Sequence, residues 1–457
     1  MRANSFRQMA KRAPPRGLPH FVVSLPVPYS ILWDLVDRGE TVRQPDALIG
    51  EVMGLVDQKN GRRLPSAYPP ANSPTSSIWD LRHCGPPIWL AAPENPMGFE
   101  VDFLAVGDGE RGGDAIALRF GNLNGPRSQQ IVMVIDGGWT ETGTLLAKHI
   151  RDFYRTDTVD AVISTHPDDD HSNGLLVLLD ELRVGNLFLH LPWKHADDIA
   201  RMFRDDRVTD RSVREALRRS LDSACQLSKV AARKSIRVTE PFQGVNWLDG
   251  RLQILGPTVA YYESLLPHFR GTPEPKVPLF PFAPARRSVL AGLGRAAESI
   301  GVETLTDSGE TSPENNTSAI TFINADGRGL LFTGDAGMPA LTIAADRLSA
   351  LGISTASLDL IQVPHHGSRR NVGPTILNRI VGTKLGAPAS LKTAVCSCPK
   401  ASEKHPAKSV TNAFRRRGAP VYVTGGRNLL HHRDAPGRGW GTAQPLPLFT
   451  EVEAGDE

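Results

Sequence analysis

The heptapeptide THPDDDH at residues 165–171 is the stretch that decides how the rest of the sequence is interpreted. A short β-branched run at residues 161–164 precedes it and predicts a strand. A run with helical spacing follows at residues 174–182, for which Ser172 or Asn173 is the expected N-cap. The heptapeptide is therefore expected to form a loop between a strand end and a helix, where alternate side chains can turn towards one point.

Four potential metal ligands are crowded into this loop. Neighbouring carboxylates repel one another unless a cation offsets their charge. Pro167 stiffens the loop, and the start of the following helix favours negative charge nearby. The alternative interpretation is a solvated acidic turn with two incidental histidines, and the spacing of the histidines favours a metal site over it. The predicted ligands are His166, Asp168, Asp170 and His171.

Three further segments place polar side chains after strand-like runs. They are DGG at residues 136–138, TGD at residues 333–335 and HHGS at residues 365–368. A glycine before a carboxylate permits a sharp turn after the strand. Each segment alone is weak, because a Gly-Asp pair after a strand is usually an ordinary turn.

Taken together, the DGG, HxDxDH, TGD and HHGS segments resemble the metallo-β-lactamase superfamily. They are most similar to its branch related to the nuclease-type domain of the DNA-internalisation competence protein ComEC. Residues 103–109 and 113–116 resemble that branch's first hairpin, residues 316–318 its "NN-S" segment and residues 404–406 its late "GHP" element, so that the likeness spans about residues 100–430. The resemblance implies an α/β fold, the αββα sandwich of two mixed β-sheets packed together with helices outside.

The resemblance also implies a site for one or two divalent ions, Zn²⁺ or Mn²⁺. It leaves open which histidine of the HHGS segment ligates, and the other one would orient a neighbouring group or contact substrate. The implied members are His166 and Asp168 at the first metal position, Asp170 and His171 at the second, Asp335 as a bridge, and His365 or His366.

The sequence departs from the superfamily pattern at two places. Asp168 stands where the commoner loop HxHxDH has a histidine, and an oxygen ligand makes Mn²⁺ or Mg²⁺ more competitive with Zn²⁺. The usual third-motif histidine is missing, because the segment LQILGP at residues 252–257 offers Gly256 instead. His190 is a candidate substitute, and it could equally be a packed histidine near Trp193.

A metal-activated water is the expected nucleophile, with Asp168 or Asp170 as a proton acceptor. Basic residues near the predicted site would suit a phosphate group. The expected catalytic residues are Asp168, Asp170, Lys404 and His405, and the expected substrate-binding residues are Asn316, Ser368, Arg369 and Arg370.

Two functions are consistent with this pattern. The leading hypothesis is a metal-dependent phosphodiesterase or nuclease that acts on nucleic acid or a nucleotide. The alternative is a small-molecule ester, lactone, amide or thioester hydrolase, since a fold does not choose a substrate. Residues 201–237 hold 11 Lys and Arg against 5 Asp and Glu, and this excess fits nucleic-acid contact and a solvated helix face equally well. A non-catalytic binding protein is disfavoured, because the predicted ligand set is too complete.

Composition sets broader limits. The formal net charge of the 457 residues is only +3, so overall charge does not indicate nucleic-acid binding. Four scattered cysteines indicate a reducing compartment, the cytoplasm, and no apolar run is long enough to cross a membrane. The Cys396-Ser397-Cys398 segment is interpreted as small residues packed in a strand, and residues 415–417 (RRR) as the end of a surface helix.

The sequence divides into three regions. Residues 1–95 form a proline-rich, partly disordered extension with one plausible helix near residues 45–57, and they could dock a protein partner. Residues 96–435 are the catalytic domain, with insertions at about residues 196–240 and 257–315. Residues 436–457 are an acidic tail that is expected to be loosely held.

Overall fold

The computed structural model describes residues 97–107, 109–279 and 295–453. The N-terminal extension at residues 1–95, with its predicted helix and its proposed docking role, lies outside the described residues. None of the helices in the described ranges is long and apolar enough to span a membrane.

The described residues form sixteen strands. Those of the first half are β1 (Gly98–Phe103), β2 (Ala115–Gly121), β3 (Gln130–Gly137), β4 (Thr158–Ile163), β5 (Arg183–Phe188), β6 (Arg237–Thr239), β7 (Asn246–Trp247) and β8 (Leu252–Gly256). Those of the second half are β9 (Arg295–Ala297), β10 (Ile320–Ala325), β11 (Arg328–Phe332), β12 (Leu358–Gln362), β13 (Thr393–Cys396), β14 (Val421–Val423), β15 (Leu429–Arg433) and β16 (Glu451–Glu453).

Helices connect and cover the strands. They are α1 (Thr140–His149), continued by a π-helical turn (Ile150–Tyr154), then α2 (Asp169–Glu181), α3 (Asp210–Ser220), α4 (Asp222–Arg233), α5 (Val259–Leu265), α6 (Met338–Ala350), α7 (Pro374–Ile380) and α8 (Lys408–Arg416).

Two seven-stranded sheets are built on the same plan. The first has the order β15-β1-β2-β3-β4-β5-β6 and the second the order β14-β13-β12-β11-β10-β8-β7. In the first sheet the pairs from β15 to β3 are antiparallel and those from β3 to β6 are parallel. In the second sheet the pairs from β14 to β11 are parallel and those from β11 to β7 antiparallel. Both sheets are therefore mixed.

Successive side chains of a strand point to opposite faces of the sheet, and this alternation produces the layers of the fold. On β2, Ile116 and Leu118 face the core between the two sheets, whereas Ala115 and Ala117 face the helical layer that includes α1, α2 and α4. Leu331 and Ile361 of the second sheet face outward to α6, α7 and α8. The αββα sandwich expected from the sequence is confirmed.

The parallel halves of the two sheets bring polar segments to one edge. Strands β3 and β4 of the first sheet, and β11, β12 and β13 of the second, all end at this edge. The two sheets are joined there by a hydrogen bond from the backbone N–H of Ala319 to the carbonyl of Thr165. The carboxyl ends of these strands carry the DGG, THPDDDH, TGD and HHGS segments.

Helix α2 begins earlier than the sequence analysis expected. Its N-cap is Asp168, whose carbonyl accepts the backbone N–H groups of His171 and Ser172, so the prediction of Ser172 or Asn173 as N-cap was wrong. The reason is that the carboxylates occupy the first turn, where the helix dipole favours them. Asp170 and His171 are thereby held on a rigid helix rather than on a loop.

The three arginines at residues 415–417 end helix α8, as the sequence predicted, but two of them are not on the surface. Arg416 and Arg417 are fully buried. Arg416 Nη2 lies 2.9 Å from Glu298 Oε2, and Arg417 Nη1 lies 2.7 Å from Glu303 Oε1. Both glutamates belong to the second insertion, so this insertion is anchored to α8 by two buried ion pairs.

The C-terminal region is also held more firmly than expected. Strand β16 pairs with β9, and the Glu453 carboxylate accepts the backbone N–H of Lys408 at the start of α8. Arg438 inserts its guanidinium between Glu100 and Asp102 of β1. The expectation of a loosely held tail is wrong for residues 436–453, because these contacts attach them to both sheets' helical layers.

Removing the Arg416 side chain should destabilise the protein strongly. The Arg416→Ala change leaves the Glu298 carboxylate buried without its cation, which costs about 3–5 kcal/mol of unfolding free energy. Chemical denaturation followed by fluorescence measures the loss. Arg219→Ala, at an exposed arginine, should change stability by less than about 0.5 kcal/mol. Equal stability of both variants would contradict the anchoring role.

Candidate metal centre

The TGD turn after β11 places a buried carboxylate at the shared edge. Gly334 has φ +50°, and a Cβ there would lie 2.9 Å from Thr165 Oγ1, so glycine is required. Gln362 Oε1 accepts the backbone N–H groups of Thr333 and Gly334 at 2.9 and 3.0 Å. Asp335 follows this tightly held turn, which fixes its position between the two sheets.

Four imidazoles surround the Asp335 carboxylate. The Nε2 atoms of His171, His365, His166 and His366 lie 3.4, 3.6, 3.8 and 3.9 Å from Asp335 Oδ2, respectively. Three of these rings are buried, and His365 is 30% exposed. The structure therefore brings together histidines that are almost 200 residues apart in the sequence.

A hydrogen-bond chain from Asp136 sets the tautomers of two histidines. Asp136 Oδ2 lies 2.8 Å from His171 Nδ1 and 2.6 Å from Thr165 Oγ1. The carboxylate can only accept, so His171 Nδ1 and the threonine hydroxyl both donate to it. Thr165 has then used its one proton and must accept from His166 Nδ1, 3.0 Å away. Both rings therefore keep a proton on Nδ1, so that Nε2 is the ring nitrogen available to a metal.

The HHGS histidines are oriented in the same way. His366 Nδ1 donates to the carbonyl of Ser397 at 3.0 Å. Asn371 donates its Nδ2 to the Asp335 carbonyl at 2.7 Å, which turns its Oδ1 towards His365 Nδ1 at 2.9 Å. His365 and His366 hold φ values of +47° and +53°, a conformation that costs non-glycine residues energy and is found mainly at functional sites.

These residues fit a divalent cation. The Nε2 atoms of His166, His171 and His366 are buried and have no hydrogen-bond partner among the described residues. Ligating histidines normally donate one ring nitrogen to a protein acceptor and leave the other for the metal. One ligand atom from each of Asp114, His171, Asp335 and His366 lies within 4.8 Å of the other three. The described chain thus contains at least one group of ligand atoms able to hold a metal ion.

The two outer carboxylates of the loop, Asp168 and Asp170, approach different histidines of the cluster. Asp168 Oδ2 lies 3.5 Å from His166 Nε2. Asp170 Oδ2 lies 3.6 Å from His366 Nε2 and 3.8 Å from His171 Nε2.

The electrostatics of the cluster show how closely its charges are balanced. Burial alone raises the pKa of Asp335, but His171, His365 and His366 hold it well below its usual range. Burial alone lowers the pKa of His366, and the Asp335 and Asp170 carboxylates raise it to about 9. In the metal-free protein His171 and His366, whose pKa values are raised, therefore carry a second proton that a cation would displace.

Asp114 and Asp136 are site residues that the sequence analysis did not name as such. Asp114 precedes β2 and is buried, and burial raises the pKa of its carboxyl despite the nearby His366 and His171. Asp136 was noted only as the end of a strand. Asp114 lies just before β2 and Asp136 near the end of β3, at the same edge. The GDAI and DGG segments are the sequence signals for these two residues.

Arg270 from the second insertion is a further contributor. Its Nη1 lies 2.7 Å from Asp168 Oδ1, while Asp168 Oδ2 faces His166. Burial raises the pKa of Asp168, but His166 and Arg270 lower it to about 2. Arg270 was not predicted, because nothing in an irregular, proline-rich insertion indicates which of its arginines reaches the site.

His190 does not join the ligand group. Its ring stacks on Tyr262 at 4.7 Å and packs against Phe242 at 4.8 Å, and burial lowers its pKa to about 3. It lines a small cavity together with His166. This location corresponds to the packed histidine that the sequence analysis left open as an alternative.

The residues expected to act on substrate are spread out. His405 lies near the centre, with its ring 6.4 Å from that of His365. Lys404 is exposed and makes no ion pair or hydrogen bond within the described ranges. Arg369 Nη1 reaches the Glu453 carbonyl at 3.4 Å, towards β16 rather than the ligands, and Arg370 is exposed.

The two remaining candidates have structural contacts. Ser368 is buried, and its Oγ accepts the backbone N–H of Arg370 in the turn after the HHGS segment. Asn316 is buried and donates its Nδ2 to the Ser312 carbonyl at 3.3 Å. Ser318, two residues after Asn316, accepts the backbone N–H of Asp335 at 3.1 Å.

Replacing Asp136 with asparagine should weaken metal binding. The asparagine amide can donate to His171 Nδ1, which moves the ring proton to Nε2 and blocks ligation. We expect metal affinity to fall about 10- to 100-fold, measured by competition with a chelating dye. Asp160→Asn is the matched control, because Asp160 also accepts a backbone N–H on the first sheet but lies at its other end. Unchanged affinity in Asp136→Asn would contradict the proton assignment.

Replacing each histidine of the HHGS segment in turn should change the amount of bound metal to a different extent. His366 is buried and belongs to the ligand group, whereas His365 is partly exposed. His366→Ala should therefore reduce bound metal, measured by elemental analysis after dialysis, and His365→Ala should retain more of it. The opposite order would assign the ligand role to His365.

Comparison with known proteins adds only distant likenesses. No protein-family model and no curated protein matches the chain. A crystal structure of a candidate metallo-β-lactamase from Thermotoga maritima is similar at 10% identity over 52% of this chain and 78% of that one, with a TM-score of 0.26. A variant of the β-hydroxylase CmlA is similar at 11% identity over 75% of this chain and 54% of its own, with a TM-score of 0.34. At these scores the fold assignment rests on the sheet order and layers themselves.

Proposed function

We propose that this chain is a metal-dependent phosphodiesterase that hydrolyses a nucleotide or a short nucleic acid. The observation that carries the proposal is the convergence of three buried imidazole Nε2 atoms on the Asp335 carboxylate. A divalent cation bound there would lower the pKa of a coordinated water and polarise the bond under attack. The residues that would hold it are His166, Asp168, Asp170, His171, Asp335 and His366.

The carboxylates of the loop are better suited to binding the cation than to accepting a proton. The pKa of Asp168 is about 2, and that of Asp170 is lowered by His171 and His366 although burial alone would raise it. An efficient general base has a pKa near the working pH. This observation favours ligand roles for both residues over the proton-accepting role that the sequence suggested.

Two groups near the candidate metal centre support a phosphodiester substrate: one is cationic and the other can donate a proton. Arg270 is held in place by the backbone bond from its N–H to Glu314 Oε1, while its guanidinium remains 47% exposed beside Asp168. His405 stacks near His365 on the other side. A guanidinium binds phosphoryl oxygens strongly, and an imidazole can protonate a leaving oxygen. The likeness of the motif order to the nuclease-type branch supports the same substrate class.

The basic insertion favours a short substrate over a long polynucleotide. Six of the eleven basic residues between positions 201 and 237 are paired with carboxylates. Paired cations release few counterions when a polyanion binds, so they add little affinity. The pairs are Arg204–Glu274, Arg207–Asp205, Arg211–Glu215, Arg214–Asp197, Arg233–Asp180 and Lys234–Asp180.

The decisive experiment supplies the purified protein with Mn²⁺ or Zn²⁺ and compares substrates. We expect turnover of bis-p-nitrophenyl phosphate and of short oligonucleotides, with Mn²⁺ at least as effective as Zn²⁺, because the proposed ligands Asp168, Asp170 and Asp335 all supply oxygen. Arg270→Gln should lower kcat/KM for these diesters about 10- to 100-fold, because a charge-assisted hydrogen bond is lost.

Lys276→Gln is the control, since Lys276 lies in the same insertion and pairs with the exposed Asp206. An uncharged p-nitrophenyl ester separates the contribution of substrate charge from the contact of Arg270 with Asp168, and Arg270→Gln should lower ester turnover much less than diester turnover. Efficient hydrolysis of a lactone or thioester with no diester cleavage would replace this proposal with a small-molecule hydrolase.

A further inference from the structure

A second cavity lies at the opposite end of the first sheet from the metal centre. Its volume is about 510 Å³, within the range of small-molecule sites. Arg119 of β2 lines it, five residues along the strand from Asp114, which places it roughly 17 Å from the metal centre at about 3.3 Å per residue. Polar and charged residues dominate the wall: Glu100, Arg119, Arg127, Gln130, Arg155 and Arg438.

The inner wall is a buried network of matched charges. Glu100 Oε2 lies 2.7 Å from Arg119 Nε and 2.9 Å from Arg438 Nη2. Arg438 Nη1 lies 2.6 Å from Asp102 Oδ1, and the Tyr154 hydroxyl donates to Asp102 Oδ2 at 2.6 Å. Two guanidinium groups are therefore balanced by two carboxylates, and the wall is rigid because each group is held by several partners.

One oxygen of this network has no donor. Glu100 is fully buried, and its Oε1 makes no hydrogen bond with any described residue although its Oε2 accepts two. A buried carboxylate oxygen without a donor costs free energy of about 1–3 kcal/mol or more. Since Glu100 lines the cavity, a ligand that offers a hydroxyl or amino group there would recover this cost.

The outer wall carries one cation in excess. Arg127 is matched by Asp160 at 2.7 Å, and Asp152 is paired with Lys148. Arg155 is exposed at the cavity and forms no ion pair with the part of the chain that the structure describes. The charge that remains after this pairing is a single guanidinium, so the cavity attracts an anion.

We propose that this cavity binds a small organic anion that also carries hydroxyl or amino donors, with the size and chemistry of a sugar phosphate. Its anionic group pairs with Arg155, and one of its donors satisfies Glu100 Oε1. The site is distinct from the metal centre, and its occupancy does not depend on which bond the metal centre hydrolyses.

Isothermal titration of the full-length protein with ribose 5-phosphate, inorganic phosphate and ribose tests the proposal. We expect saturable binding of ribose 5-phosphate, weaker binding of inorganic phosphate because it cannot reach both groups, and no saturable binding of ribose. Arg155→Gln should weaken ribose 5-phosphate binding about tenfold, the loss expected for one charge-assisted hydrogen bond. Arg155→Lys should restore part of the affinity.

Two further variants separate the cavity from the rest of the protein. Arg219→Gln changes an exposed arginine on α3 and should leave binding unchanged. Arg270→Gln, at the metal centre, should also leave it unchanged, and Arg155→Gln should leave diester turnover within about twofold. The proposal is overturned if the wild-type protein shows no saturable binding of ribose 5-phosphate, if Arg155→Gln binds it as tightly as wild type, or if Arg270→Gln abolishes binding.

Discussion

The buried carboxylate of Asp335 is the constraint on which the arrangement of side chains at the shared edge of the two sheets depends. An ionised carboxylate taken out of water is costly unless positive charge lies next to it. Here His171 and His366 supply that charge as protons, and their pKa values are raised accordingly. Protonated imidazoles repel one another, as His171 and His366 do. A divalent cation removes that repulsion while keeping the carboxylate ionised, so the cluster is best balanced when a metal replaces the protons.

The two sheets contribute complementary halves of this arrangement. The first sheet supplies Asp136 and the histidines that its hydrogen-bond chain orients, and the second supplies Asp335 and His366. Each half is held by hydrogen bonds behind the cluster: the backbone N–H of Thr165 donates to Asp136, and the backbone N–H of Gly334 donates to Gln362 Oε1. Because the ligand atoms of both halves must meet within a few ångströms, the packing of the sheets and the metal affinity depend on one another.

The insertions adapt this common core. The second insertion is anchored to α8 through the buried pairs of Glu298 and Glu303, and it extends Arg270 to the mouth of the metal centre. The C-terminal region is held in a similar way, with Arg438 closing over the first strand. Substrate choice is therefore expected to depend more on these segments than on the residues that bind the metal.

The sequence by itself predicted the sandwich, through the resemblance of its ordered DGG, HxDxDH, TGD and HHGS segments to a known family, and it predicted a metal-binding loop. The crowded ligands of residues 165–171 are a local signal, since neighbouring carboxylates need a cation. Only the tertiary structure decided which distant groups join them. Asp136 acts through a proton on His171, Arg270 reaches Asp168 from an irregular insertion, and Arg416 and Arg417 are buried rather than exposed. None of these has a local pattern, because each depends on a partner far away in the chain.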